Sequence, residues 1–287
     1  MSHIDPSSRS VVITGVGFRA CAGGSGDTNL FDGVDKPNIG AAVALAAAQS
    51  GYTVIPVSRT AAKLDRICAS IKSLVPGARV SPRVVDLLSE GEARQFEASL
   101  SSDCEVDIVH CAGLSAGTYA LPNDNPYLRL EDTPLDLPAL EFEAVVKTLL
   151  IAVRTFIARW KRQKRTRVVV VSSMSGIRPF PLGYSHSSAK GALTQATRAL
   201  TLELNPLGIH ICEVQPGMVD TGLYDAPAVD AAVRQIGLTF GYKYESGKLP
   251  QMQPSSVAEA VMLCLTSESH VLRISLVSEG QFPHLGA

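Results

Sequence analysis

Short, continuous apolar runs rich in β-branched residues alternate with longer helical stretches along almost the whole chain. That alternation constrains the fold more than any other feature. The runs are VVIT (11–14), TVIPVS (53–58), VSPRVV (80–85), VDIVH (106–110), RVVVVSS (167–173), IHICEVQ (209–215) and LRISLV (272–277). They are continuous rather than alternating apolar with polar, as expected of strands in a parallel sheet covered on both faces. Helical stretches lie between them, over 40–50, 61–74, 90–100, 140–163, 187–204 and 255–267. The pattern predicts an α/β fold: one Rossmann-type domain over 1–287, with a doubly wound parallel sheet of about seven strands and helices on both faces.

Three segments break this economy. Residues 16–38 interrupt the first strand-to-helix turn, and 114–139 stretch the connection after the fourth strand. Loops of that length in a compact domain are usually functional covers or disordered segments. The first is rich in Gly and Asp; the second holds Tyr119, Pro122, Pro126 and Tyr127, a mix suited to packing over a pocket. A third segment, 223–249, carries Tyr224, Phe240, Tyr242 and Tyr244, which can line a pocket or pack on a neighbouring subunit.

Charge excludes some function classes. The formal net charge is −1, which gives no reason to expect nucleic acid or an anionic membrane as partner. The basic run RWKRQKRTR (159–167) reads as a solvated helix terminus. The six cysteines form no C-x-x-C pair and no metal-ligand spacing, so no metal is expected and the thiols read as reduced. The N-terminal stretch has no apolar signal core, and no apolar run reaches membrane-spanning length. A cytoplasmic, soluble protein is expected.

Several motifs follow one another in order: Thr14–Gly15 closing on NIGAAVAL, then VSRT, Asp86–Leu87, HCAG (110–113), VSSMSG, YSHSSAK and QPGMVDTG (215–222). In that order, and from Ser10 to about Gly280, the chain resembles the short-chain dehydrogenase/reductase family. Those enzymes move a hydride between a nicotinamide and a carbonyl or alcohol carbon.

The resemblance implies a cofactor site. Gly15, Asn38, Ile39 and Gly40 fall on the glycine-rich turn that lets backbone and a helix N-terminus approach a pyrophosphate. Between Gly15 and Gly40 lie 24 residues, where the family has about five. Asn38 stands where a middle glycine belongs; Asn tolerates left-handed backbone, so the turn can survive, the alternative being a turn ruined for phosphate. Ser58 replaces the carboxylate that grips the 2′-hydroxyl of NAD, and Arg59 follows it, a pairing that implies NADP(H). Asp86 and Leu87 are implied to flank the adenine, and Ala112 and Gly113 to keep a small-residue passage past the cofactor. Pro216, Gly217, Val219 and Thr221 are implied to contact the nicotinamide amide and the phosphates. His110 reads as a hydrogen-bonded core histidine rather than a ligand.

The catalytic set departs from the family. Ser173 sits where the substrate-orienting serine belongs, and Lys190 where a lysine binds the nicotinamide ribose. The family's tyrosine lies 13 residues after that serine and four before that lysine, and both counts land on His186. The nearby Tyr184 is six residues from Lys190, out of phase on a helix unless the backbone before its first turn is irregular. The family's asparagine falls on Leu149. Three readings stand. The first is an NADPH-linked oxidoreductase acting on a carbonyl or alcohol of a small hydrophobic molecule, with His186 or Tyr184 as proton donor, although Lys190 nearby favours a neutral imidazole. The second is a non-redox isomerase, dehydratase or cyclase using Ser173 and His186. The third is a catalytically silent NADP(H) binder. The resemblance also implies a homodimer or homotetramer paired through helices 140–163 and 187–204.

Overall fold

The computed structural model describes residues 6–19, 31, 35–113, 125–245 and 247–281. Cys21, Tyr119, Pro122 and most of the insertion 16–38 lie outside them. Seven strands form one parallel sheet: β1 (Arg9–Thr14), β4 (Thr53–Ser58), β5 (Arg83–Val84), β6 (Glu105–His110), β7 (Thr166–Val171), β8 (Ile209–Pro216) and β9 (Arg273–Leu276). Their order across the sheet is β5-β4-β1-β6-β7-β8-β9. The chain reverses its winding between β1 and β6, which is where an open α/β sheet leaves a crevice at its carboxyl edge.

The continuous apolar runs work as two-faced strands. Val11, Ile13, Val169, Val171, Cys212 and Val214 point into one core, with α1 (Ile39–Gln49), α2 (Ala61–Leu74) and α8 (Pro254–Thr266). Val12, Val168, Val170 and Ile211 point into the other, with α3 (Glu90–Ala98), α5 (Thr148–Trp160) and α6 (Tyr184–Leu204). Period-2 alternation thus separates two cores along strands that read as uniformly apolar. The remaining helices are α4 (Leu137–Phe142), which runs through a π-helical turn (Glu143–Lys147) into α5, and α7 (Pro227–Thr239), which makes a helix of about half of the 223–249 cover.

Some boundaries differ from the sequence reading. The run 80–85 pairs fully only at Arg83–Val84, with Val80 bridging Val54, because Pro82 has no N–H for a ladder. The basic run 159–167 is solvated at Lys161, Arg162 and Lys164 but not at its two ends, where Arg159 and Arg167 are buried. Arg159 meets Glu97 at 2.7 Å and donates to the carbonyls of Leu100 and Ser101, capping the end of α3. Arg167 donates to the carbonyls of Ser267 and Ser269.

The insertion leaves the sheet as a short antiparallel ladder, β2 (Phe18–Arg19) against β3 (Lys36–Pro37), with Phe18 opposite Pro37. The ladder returns the chain to the place it left. Asn38 then closes the turn: its Oδ1 accepts from the N–H groups of Gly17 (3.0 Å) and Ala41 (2.9 Å), and its Nδ2 donates to the Gly15 carbonyl (2.8 Å). Asn38 is not left-handed; at φ −78° it is extended and serves as the N-cap of α1. The left-handed residue is Gly15, φ +70°, where a Cβ would lie 2.5 Å from the Cys111 carbonyl oxygen.

Asn38→Ala removes a cap and two cross-turn bonds. It should cost about 1–2 kcal/mol and lower Tm by roughly 2–4 °C per kcal/mol. A thermal melt superposing on that of the unmodified protein would show that the ladder alone closes the turn.

Candidate active site and dinucleotide groove

At the carboxyl edge of the sheet two cavities join. The outer groove, about 690 Å3, runs past Gly15, Gly17, Asn38, Ser58, Arg59, Asp86 and Leu87. The inner one, about 340 Å3, is lined by Ile39, Gly40, Ser173, His186, Lys190, Pro216, Gly217 and Val219 among others. They share Asn38, Cys111, Ala112, Gly113, Thr221 and Leu223. Every cofactor-contacting residue expected from sequence therefore lines one continuous cleft. Lys63 and Arg19 line it too, although no motif singles them out.

The serine end is built by close backbone approach. β7 ends at Val171, and Met174–Gly176 form a 3-10 turn with Ser173 as its cap. A Cβ on Gly176 would lie 2.7 Å from the Lys190 carbonyl oxygen, so only glycine lets this turn lie against α6. Ser173 Oγ accepts from the Ser175 N–H (3.2 Å) and the Ser175 hydroxyl (2.8 Å). Both lone pairs are then engaged, and the hydroxyl hydrogen of Ser173 is left to donate into the cavity.

Behind it, Glu213 is buried on β8 and accepts from the Ser172 (2.7 Å) and Thr194 (2.6 Å) hydroxyls. Its second oxygen meets Arg273 Nε at 3.2 Å. One carboxylate thus ties the residue before Ser173 to the helix turn after Lys190.

α6 begins at Tyr184, three residues earlier than the sequence suggests. Tyr184 is thus in helical phase and lines none of the three cavities found at this edge, while His186 lines two of them. His186 Nδ1 lies 3.5 Å from Glu141 Oε2. Glu141 is buried in the last turn of α4, on the face of Leu137 and Val145. A lone acid on an otherwise apolar helical face was the available sequence signal. Burial holds Lys190 down to about 8, partly opposed by the Glu141 carboxylate.

His110 and Leu149 occupy the family's amide positions as core residues. His110 Nε2 donates to the Val145 carbonyl in the π-helical turn (3.0 Å), and Nδ1 faces the Thr14 hydroxyl at 3.2 Å. Burial holds its pKa down to about 4, so the ring is neutral. Leu149 is fully buried. Burial pushes the Cys111 thiol up to about 12, which leaves it protonated in the cleft.

A third, small cavity of about 70 Å3 opens beside His186 under α7, lined by Met174, Phe180, Met218, Tyr224, Val233 and Ile236. Tyr127 and Tyr224 stand at its mouth with their hydroxyls bonded, and burial holds Tyr127 well above the usual phenol range. Tyr242 meets Tyr244 edge to face with ring centroids 4.9 Å apart, and Phe240 is exposed.

The short chain dehydrogenase family model matches residues 36–228. A human protein named dehydrogenase/reductase SDR family member 11 is 30% identical over 246 residues, covering 81% of this chain and 86% of that one. A very-long-chain 3-oxoacyl-CoA reductase of Phaeosphaeria nodorum is 28% identical over 204 residues, and the chain spans only 54% of its length. Among solved structures, an NADPH-bound short chain oxidoreductase of Pseudomonas aeruginosa, described as containing an atypical catalytic center, superposes with TM-score 0.73 at 19% identity, over 97% of this chain and 99% of that one. An alcohol dehydrogenase of Thermococcus sibiricus complexed with 5-hydroxy-NADP superposes with TM-score 0.70 at 22% identity, covering 96% and 98%. No helix among the described residues is long and apolar enough to cross a membrane. By fold, motif order and these similarities, the chain belongs to the short-chain dehydrogenase/reductase family of oxidoreductases.

Proposed function

We propose that the protein is an NADPH-dependent reductase of a carbonyl, or the reverse dehydrogenase, acting on a small hydrophobic substrate with His186 as proton donor. The observation that carries this reading is the meeting of Ser173, His186, Glu141 and Lys190 at the inner end of the cleft. The cleft fits a dinucleotide. Its Gly15 and Gly40 positions have no room for a side chain on the turn side, the N-terminus of α1 opens into it, and Arg59 and Lys63 stand at the far end beside Ser58. Gly15, Asn38 and Gly40 would hold the pyrophosphate, Arg59 a 2′-phosphate, Asp86 and Leu87 the adenine end, and Lys190 the nicotinamide ribose. A reduced nicotinamide supplies the hydride when bound.

The chain's own residues handle the oxygen. As the carbonyl carbon gains hydride, its oxygen gains negative charge, which the free Ser173 hydroxyl hydrogen meets. His186 passes a proton to that oxygen from the ring nitrogen not facing Glu141. Glu141 orients the ring and offers the negative charge that offsets Lys190. The repulsion expected between His186 and Lys190 is thereby met by a carboxylate lying close to both. The same His–carboxylate pair also suits proton abstraction next to a carbonyl. In that non-redox reading product appears with no NADPH consumed, and measuring both separates the two.

Self-association through α5 and α6 belongs to this reading, since Leu150 and Leu202 are exposed there.

His186→Phe should cut NADPH-dependent ketone reduction by about 10²–10⁴ while NADPH binding by calorimetry changes little; full turnover in that variant removes His186 from the chemistry. Lys190 is charged below about pH 8 and neutral above it, so kcat/KM should fall as pH rises through that value. Glu141→Gln withdraws the carboxylate that favours the charged form, and the falling limb should move to lower pH; a limb that stays or moves up contradicts the contact. Arg59→Ala should weaken NADPH at least about tenfold more than NADH, whereas equal weakening of both denies the 2′-phosphate contact.

A further inference from the structure

The ladder of the insertion does more than return the chain to α1. Arg19, on β2, lines the outer groove together with Gly15, Gly17, Asn38 and Thr221. Its NH1 donates to the carbonyl of Gly222, the residue after Thr221, at 3.1 Å. Its aliphatic stem lies directly on Gly222: a Cβ there would sit 2.9 Å from Arg19 Cδ, and the glycine has φ +82°. Both features require glycine at 222 for Arg19 to lie where it does. Lys36, on the partner strand β3, meets Asp220 at 2.6 Å and Asp225 at 2.5 Å, and Lys248 also meets Asp220 at 2.6 Å. The ladder is thus tied to the segment after β8, across the groove from the Gly15–Asn38 turn.

The two cations of the ladder differ in charge balance. Lys36 is neutralised by two carboxylates, and none of its charge is left for a ligand. Arg19 meets a carbonyl instead, and among the described residues no ion pair involves it. A guanidinium with no ion pair among the described residues, held by its stem against Gly222 in a groove that the N-cap of α1 also lines, is arranged to meet a phosphate. It lies on Gly222, next to Thr221, which with Asn38 lines both cavities, whereas Ser58, Arg59 and Lys63 line the outer groove alone.

We propose that Arg19 is a pyrophosphate-binding residue supplied by the insertion, distinct from the Arg59 end of the groove. This rests on the dinucleotide reading of the groove above. The 24 residues between Gly15 and Gly40 then add a phosphate contact rather than destroy one.

The test is calorimetric titration of the full chain with NADPH, NADH and adenosine 2′-monophosphate, which carries the 2′-phosphate but no pyrophosphate. Arg19→Gln should weaken NADPH and NADH by the same factor, about tenfold or more, and leave adenosine 2′-monophosphate unchanged. Gly222→Ala, which displaces the stem while keeping the guanidinium in the chain, should reproduce that pattern; retained adenosine 2′-monophosphate binding shows in each case that the groove is still folded. Loss of NADPH and adenosine 2′-monophosphate together, with NADH spared, would overturn the assignment in favour of a 2′-phosphate contact. Unchanged binding of all three would reduce Arg19 to a tie between loops. If the unmodified protein binds none of them, the dinucleotide reading itself falls, an outcome separable from any failure confined to the variants.

Discussion

The three hydrogen bonds of the Asn38 side chain are the constraint on which the site depends. The turn between β1 and α1 must bring Gly15 against Cys111 and Gly40 against Gly15 in order to open a backbone-lined groove. An insertion at this point would ordinarily let the two halves drift, since each added residue enlarges the conformational space the turn must give up. A side chain that both accepts from and donates to the other half of the turn fixes the two halves in one geometry. Its amide offers an acceptor and donors together, which Asp, Ser or Thr cannot do in the same arrangement. A glycine at 38 would leave the backbone free but supply none of the bonds.

The catalytic end shows a similar substitution of one physical solution for another. By spacing, the places expected for the family's tyrosine and asparagine fall on His186 and Leu149. Leu149 is absorbed into the core, while the π-helical turn just before it turns the Val145 carbonyl toward His110. His186 is not left alone in a cleft with Lys190. Glu141 reaches the same space from α4, and the two helices are packed closely together. Burial pushes Lys190 toward its neutral form, and the Glu141 carboxylate opposes that. Ser173, His186, Glu141 and Lys190 thus line one cavity.

Much of this was legible in the sequence, and what was not has physical reasons. The seven strands and their parallel order follow from apolar runs separated by helical stretches, because burial on both faces leaves no other pattern. Ser173, His186 and Lys190, singled out by spacing, line one cavity, since one strand end and one helix fix their separation. Glu141 escaped because its role depends on α4 packing against α6, a contact between residues some 45 positions apart that no local spacing records. The extended backbone of Asn38 escaped because residue type sets a preference, whereas the cap bonds set the outcome. Arg159 and Arg167 were read as solvated because a basic run at a helix end usually is. Here Glu97 and the backbone carbonyls after α3 satisfy the Arg159 guanidinium, while Arg167 donates through one nitrogen only, to the carbonyls of Ser267 and Ser269.

The opposite edge of the sheet explains why such departures at the carboxyl edge can be borne. There Arg9 meets Asp107 through two 2.9 Å bonds, and Asp107 also accepts from the Arg167 N–H at 2.7 Å. These contacts join β1, β6 and β7, the three central strands, at the end remote from the cleft. A buried ion pair of this kind contributes little net stability, yet removing one partner leaves an uncompensated charge. It therefore acts on register: any slip of β1 against β6 would separate Arg9 from Asp107. Because the strands are fixed at that end, the loops at the other are positioned from a rigid frame. The glycine turn can then accept an insertion, and the helices behind it can carry His186 and Leu149, without the sheet losing alignment.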